Sequence, residues 1–367
     1  MGGGPVVYNF NPGPAVVPAA VLREAAENLV DYRGQGMSIV EMSHRAGPYE
    51  AVHQDAIDRC LRLYGLGPEY AVLLLQGGAS LQFAMVPMNL LREGRSADYI
   101  STGHWSQKAI EEVHVLGKRC RVAGSSEGQH FACIPSQEEL DLDPEAEYLH
   151  LTTNNTIYGT QFQSLPRSGG VPIVADMSSD LFSRPVVWDE IGLAYGGAQK
   201  NAGIAGLTVV IIRRDLLDRV GAGQGVPTVM RYRTHAKTNS LYNTPPVFAI
   251  YLFGLVLRWI ECLGGLEAVA SRNQCKAGLL YAAIDGSGGF YRGHARPDSR
   301  SLMNLTFALP DKAAEARFCA EAEQAGLVGL RGYRSVGGVR ASLYNAMDEA
   351  GCEVLAGFMR DFARRGA

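Results

Sequence analysis

A chain of 367 residues is long enough for two domains of about 100–200 residues, each with its own core. Hydrophobic residues make up 47% and charged residues 19%, which excludes a disordered or low-complexity protein. The 34 Lys+Arg against 37 Asp+Glu give a net charge of -3 without a basic run, so no nucleic-acid partner is expected.

Seven cysteines (Cys60, Cys120, Cys133, Cys262, Cys275, Cys319, Cys352) are scattered and form no C-x-x-C pair, the usage of a reduced, cytoplasmic protein. The eight histidines lack the His-Glu-x-x-His spacing that puts two ligands on one helical face, so no metal is expected. The longest apolar run, Val247 to Leu257, stops at Arg258, short of the ~20 residues of a membrane span, and reads as a buried helix. The N-terminus has neither the basic and apolar regions of a signal peptide nor a myristoylation pattern.

In chain order, residues 1–15 read as an arm, because Asn11-Pro12-Gly13-Pro14 cannot continue a regular element; a helix opens at Pro18. Residues 16–257 read as a large α/β domain. Its strands are the apolar runs Ala71–Leu75, Ala97–Ser101, Glu147–Thr152, Val171–Asp176, Leu193–Gly196 and Leu207–Arg213. Crossover helices Ser80–Leu91, Trp105–Leu116 and Asp215–Val220 make the sheet mostly parallel. Residues 258–367 read as a smaller α+β domain. Long helical stretches Val247–Leu263 and Leu266–Ile284 lead into it, followed by strands Met303–Ala308 and Val339–Leu343 and a terminal helix.

The strongest chemical signal is Gly196-Gly197-Ala198-Gln199-Lys200-Asn201, a lysine presented just after an apolar strand. A Schiff-base lysine must be desolvated or flanked by a cation to be nucleophilic at neutral pH, and a strand end in a cleft supplies that. A solvated surface lysine is the ordinary alternative, and Lys200 escapes it through its companions. Asp176 ends the run Val171–Ala175, where α/β enzymes place functional groups, and its carboxylate suits a pyridinium nitrogen. The other reading of Asp176 is a helix N-cap, since Ser178-Ser179-Asp180 follows it. Gln76-Gly77-Gly78-Ala79-Ser80 is a small-residue turn at a helix start, where free amides attract phosphate. Lys200, Asp176 and that turn together fit pyridoxal 5'-phosphate. Trp105 stands where a strand hands over to a helix and suits stacking on an aromatic ring. Arg45, Arg334 and Arg340 are candidate clamps for carboxylate or phosphate. No G-x-x-x-x-G-K-[ST] occurs, and the glycine cluster 221–225 follows a helix rather than a strand, against nucleotide binding.

Nearly the whole chain resembles the phosphoserine aminotransferases, fold-type I pyridoxal-phosphate enzymes. The likeness is carried by Ser43-His44-Arg45, Gly77–Phe83, Ala198-Gln199-Lys200-Asn201, Tyr242-Asn243-Thr244-Pro245-Pro246 and Val336–Ser342. It implies that Lys200 is the Schiff-base lysine, Asp176 the pyridinium partner and Trp105 the stacking ring. It further implies phosphate contacts from Ala79, Ser80 and Gln199, and from Asn243 and Thr244 of a second subunit, with Thr156 beside the ring. A homodimer with shared sites follows. Arg340 would meet the α-carboxylate of the substrate, with His44, Arg45 and Arg334 toward its distal anion, and Arg45 acting across the interface. The implied reaction is ping-pong transfer between L-glutamate and 3-phosphohydroxypyruvate, giving O-phospho-L-serine and 2-oxoglutarate in serine biosynthesis, with a pyridoxine-pathway role open. Ser80 and Tyr333 stand where relatives carry an arginine and a histidine, which bears on phosphate recognition. Alternatives on the same scaffold are an alanine–glyoxylate aminotransferase, a cysteine desulfurase or an inactive binding protein. The distal arginines argue against a small neutral substrate, and intact Lys200 and Asp176 argue against inactivity.

Overall fold

The computed structural model describes residues 6–219, 225–334 and 336–366. The first five residues, Val220 at the end of one expected helix, the glycines of 221–224 and Ser335 lie outside them. In chain order the elements begin with β1 (Tyr8–Asn9), α1 (Ala19–Val30), α2 (Gly47–Tyr64), β2 (Tyr70–Leu75), α3 (Gly78–Leu90), β3 (Ser96–Ser101) and α4 (His104–Val115). They continue with β4 (Arg119–Ser125), β5 (Leu149–Thr152), β6 (Asn154–Asn155), β7 (Thr160–Gln161), β8 (Ile173–Asp176), β9 (Ile191–Gly197), β10 (Thr208–Arg213), α5 (Arg214–Arg219) and α6 (Tyr232–Lys237). The last are α7 (Val247–Cys262), α8 (Gly265–Asp285), β11 (Arg292–Gly293), β12 (Asn304–Ala308), α9 (Lys312–Gln324), β13 (Leu327–Val328), β14 (Val339–Ser342) and α10 (Glu349–Gly366).

Seven strands form the large sheet in the order β2-β10-β9-β8-β5-β3-β4. The pairs β9/β8, β8/β5, β5/β3 and β3/β4 are parallel, whereas β10 runs antiparallel to both its neighbours. Strands β2, β3, β5, β8 and β9 therefore end on the same side of the sheet, where open α/β sheets hold ligands. Their interiors are apolar because helices cover both faces: β2, β5, β8 and β9 are buried along their whole length. Each fully buried Val, Leu or Ile contributes ~1.5–3 kcal/mol. The expected strands match these within two residues. β4 is an additional one, an edge strand whose polar, partly exposed sequence carries little apolar signal.

The smaller sheet, β11-β12-β14, is antiparallel and packs with α8, α9 and α10 around Phe307, Phe318, Leu355 and Phe362. Helix α7 is buried on nearly every side between Ala249 and Leu257, which accounts for its long apolar run. No single helix among the described residues is long and apolar enough to cross a membrane. Arg258 lies inside α7, and the hydrophobic core passes from the large cluster (Leu266, Val269) to the small one (Ala277, Leu280) midway along α8. The N-terminal arm straps the two sheets together. β1 pairs in parallel with β13, Ser342 N–H donates to Phe10 O at 3.2 Å, and Ala15 N–H donates to Gln199 O at 2.8 Å.

Candidate active site

The ends of β2, β3, β5, β8 and β9 enclose a cavity of about 140 Å³ lined by Gly78, Ala79, Ser80, Phe83, Trp105, Thr152, Asn154, Thr156, Asp176, Ser178, Ser179, Gln199 and Lys200. The chain reaches it by sharp turns after each strand. Gly77 takes φ 97° at the head of α3, and a Cβ there would fall 2.4 Å from Leu81, so glycine is required. The first amides of α3 have no acceptor within the helix and meet the cavity at Ala79 and Ser80.

Lys200 follows β9 by three residues. Its Nζ donates to Thr156 Oγ1 at 2.9 Å, and its stem lies under the arm, with Cγ 3.4 Å from where a Cβ on Gly13 would stand. Although the residue as a whole is half-buried, burial of its amine is the largest influence and lowers its pKa to about 8. Asp176 and Asp180 pull the other way, while Arg340 adds to the lowering. The lysine is thus partly neutral, and nucleophilic, near physiological pH.

Asp176, 3% exposed, closes β8. Oδ1 accepts from Ser178 N–H at 3.0 Å and Ser178 Oγ–H at 2.6 Å; Oδ2 accepts no hydrogen bond among the described residues. Burial raises its pKa, opposed by the Ser178 bonds and by Lys200. The helix-capping alternative fails, because residues 177–184 form turns and no helix starts there. Thr153, Gln161 and Asn154 extend a buried polar layer behind it, in which Asp180 accepts from Thr153 Oγ1 and from Gln161 Nε2 at 3.1 Å.

Two buried donors at this site have no hydrogen-bond partner among the described residues: Trp105 Nε1 and Arg340 Nε. Arg340 is 6% exposed; its Nη1 donates to Thr156 O at 3.3 Å, which brings the guanidinium beside the residue that holds Lys200. Burial lowers its pKa. Its guanidinium carbon sits 6.0 Å from the Tyr333 ring, and Tyr333 in turn meets His104 at 5.8 Å. A buried carboxylate with a spare oxygen, a desolvated amine, an aromatic wall and free helix-start amides around one cavity fit pyridoxal phosphate. The orphaned arginine donor beside them fits a substrate carboxylate.

The structure thus brings Ala79, Ser80, Trp105, Thr156, Asp176, Gln199 and Lys200 together, with Arg340 adjoining. It does not bring His44, Arg45, Arg334, Asn243 or Thr244 to the same cavity. Asn243 Nδ2 donates to Gln76 Oε1 at 3.1 Å and Thr244 O accepts from Gln76 Nε2 at 3.1 Å, at the turn before α3. Arg45 and Arg334 are exposed. Asn154, Ser178 and Ser179 line the cavity without having been singled out; their signal is polar residues placed immediately after buried strands.

The class-V aminotransferase family model matches residues 7–355. The chain is 56% identical over 359 residues to the phosphoserine aminotransferase of Herpetosiphon aurantiacus, covering 98% of this chain and 99% of that one. It is 52% identical over 358 residues to that of Lysinibacillus sphaericus, covering 98% of each. The solved phosphoserine aminotransferase from Bacillus circulans subsp. alkalophilus superposes with a TM-score of 0.96 at 52% identity, over 98% of this chain and 99% of that one. A further phosphoserine aminotransferase, solved to follow radiation damage of its Schiff base, superposes with a TM-score of 0.95 at 46% identity, over 98% and 99% of the two chains. The chain belongs to the class-V aminotransferases, enzymes that work with pyridoxal phosphate. Within them it falls in the phosphoserine aminotransferase family.

Proposed function

We propose that this chain transfers the amino group of L-glutamate to 3-phosphohydroxypyruvate, with Lys200 as the cofactor-bearing and proton-moving residue. The observation that carries the residue assignment is the Lys200 amine, lowered to about pKa 8 in a cavity it shares with Asp176 and Trp105. Bound pyridoxal phosphate supplies an electron sink for the α-carbon of the amino acid. Asp176 Oδ2 would keep a proton on the ring nitrogen, Trp105 would stack against the ring, and the amides of Ala79 and Ser80 with Gln199 would hold the phosphate. With the cofactor bound, the Lys200 Nζ would serve as the base that takes the substrate's α-proton and as the acid that delivers it two atoms away, to the cofactor carbon that carries the amino group afterwards. Thr156 keeps Nζ in place meanwhile.

Arg340 binds the α-carboxylate common to both substrates, which its orphaned Nε supports. The distal anion, a carboxylate in glutamate and a phosphate in the acceptor, falls to Arg334 and to His44 and Arg45 of a second copy. Asn243 and Thr244 of that copy complete the phosphate site. Support for a homodimer comes from the exposure of Arg45, Thr244 and Arg334, and from Leu22, Leu29, Val30, Met37 and Val40, large apolar side chains left on the surface of the N-terminal region. The seven free cysteines suit a reducing cytoplasm.

The test is an absorbance spectrum of the purified holoenzyme, followed by glutamate and then 3-phosphohydroxypyruvate. A visible band that bleaches with glutamate and returns with the phosphorylated keto acid is the expected result. Bleaching without return would reject this acceptor, and the lack of any band after added pyridoxal phosphate would reject the cofactor site.

A further inference from the structure

Helix α8 buries a lysine that the chemistry above leaves unused. Lys276 is 1% exposed, and its Nζ donates to the carbonyls of Leu343 at 3.0 Å, Tyr344 at 2.6 Å and Asn345 at 3.5 Å. These partners are carbonyl oxygens rather than a carboxylate. Among the described residues no carboxylate pairs with it directly, and Asp348 and Glu349 favour its charge only from farther off; an ammonium held by carbonyls alone is expensive to bury, so its retention on one turn needs a reason. One neutral donor would suffice to tether a loop, whereas three convergent carbonyls match the three N–H bonds of an ammonium.

The turn it holds leads straight out of β14, the strand that carries Arg340. Its last residue, Asn345, also meets the Lys200 segment: Asn345 N–H donates to Asn201 Oδ1 at 2.9 Å. The Asn345 side chain is fixed at both ends, donating to Phe182 O at 2.9 Å and accepting from Asn273 Nδ2 at 2.9 Å. Asn273 precedes Lys276 by three residues on α8, so one helical face supplies both grips. Asn201 Nδ2 then donates to Ser179 O at 3.0 Å, and Ser179 lines the cavity.

We propose that Lys276 is a positioning residue for the transamination: its ammonium sets the 343–345 turn, which orients the Lys200 segment through Asn345 and Asn201 and the Arg340 strand through the chain itself. This rests on the roles assigned to Lys200 and Arg340 above.

The experiment compares holoenzymes of wild type, Lys276→Met, which keeps the stem and removes the donors, and Leu280→Ala, a packing deletion in the small core one turn further along α8. The readouts are KM for glutamate, the pH midpoint of the visible cofactor band, and melting temperature. Lys276→Met is expected to raise KM roughly tenfold and to shift the band's midpoint, as misplacement of reacting groups does. Leu280→Ala should lower the melting temperature and leave KM and the midpoint where they are, since a smaller folded fraction reduces only apparent turnover. If Lys276→Met behaves like Leu280→Ala, the proposal is overturned. Should Lys276→Met not accumulate as folded protein, Asn201→Ala removes the oxygen that accepts from Asn345 N–H and cuts the next link with the Lys276 amine intact; unchanged KM and midpoint there overturn the proposal equally. A wild-type protein without a visible band would instead sink the Lys200 assignment, so the two failures are distinct.

Discussion

The two halves of the site differ in how far one chain completes them. Lys200, Asp176, Trp105, Thr156 and the amides at Ala79 and Ser80 face one cavity, fixed by strand ends and buried hydrogen bonds. His44, Arg45, Asn243 and Thr244 sit away from it, and Arg45 is exposed. The first set needs only the fold. The second set, on our proposal, needs another copy of the fold, so cofactor chemistry would be a property of the chain and anion selectivity a property of the assembly.

The sharpest way to break that contrast is a pair of variants. Lys200→Ala should lower turnover by about 10⁴-fold, the upper end for the loss of a general acid–base group. Arg45→Ala should be weak for a different reason, and mixing the two under subunit exchange should restore about a quarter of wild-type sites if residues are shared across a two-fold axis. No recovery would confine each site to one chain. Asp176→Asn comes next: single-turnover reaction with glutamate should slow by about 10²-fold, and a wild-type rate would remove Asp176 from the ring nitrogen. Arg340→Ala should raise KM for glutamate by about 10–100-fold, the range for a lost charge-assisted hydrogen bond, against little change in cofactor affinity.

Asn243→Ala should weaken pyridoxal phosphate by about tenfold, the worth of a single hydrogen bond, measured by equilibrium titration of apoprotein; an unchanged Kd would leave Asn243 with its contacts to Gln76 and Thr244 and no part in cofactor binding. The smallest effect concerns pH. Burial lowers the Lys200 pKa to about 8, and only the neutral amine attacks the cofactor aldehyde. Recombination of apoprotein with pyridoxal phosphate should therefore quicken by about fivefold from pH 7 to pH 8 and level off above. A rate still climbing toward pH 10 would show that the amine is solvated.

Much of this was legible beforehand. Asp176 and Lys200 could be placed because each follows an uninterrupted apolar run that only a buried strand explains, and Trp105 because a turn precedes a helical pattern. The edge strand Arg119–Ser125 escaped, since water on one side removes the need for apolar residues. Lys276 escaped for the opposite reason: nothing local marks a lysine whose partners lie some seventy residues further on. The polar seam that joins Asn154, Asn304, Asn201 and Asn345 is likewise assembled from distant segments. Single asparagines read as turn residues until the fold closes around them.

The arm has a consequence for how the protein is made. Tyr8 and Asn9 pair with Leu327 and Val328, so the earliest described strand waits for a partner more than three hundred residues later. On a ribosome adding ~5–20 residues per second, that wait is roughly 15–60 s, during which the segment that will cover Lys200 is tied at one end alone, by Ala15 N–H to Gln199 O. The large sheet, complete at Arg213, can form well before then. The nascent chain would thus carry Lys200 under a roof fastened on one side until synthesis is almost finished, and closing the other side becomes the last act of folding.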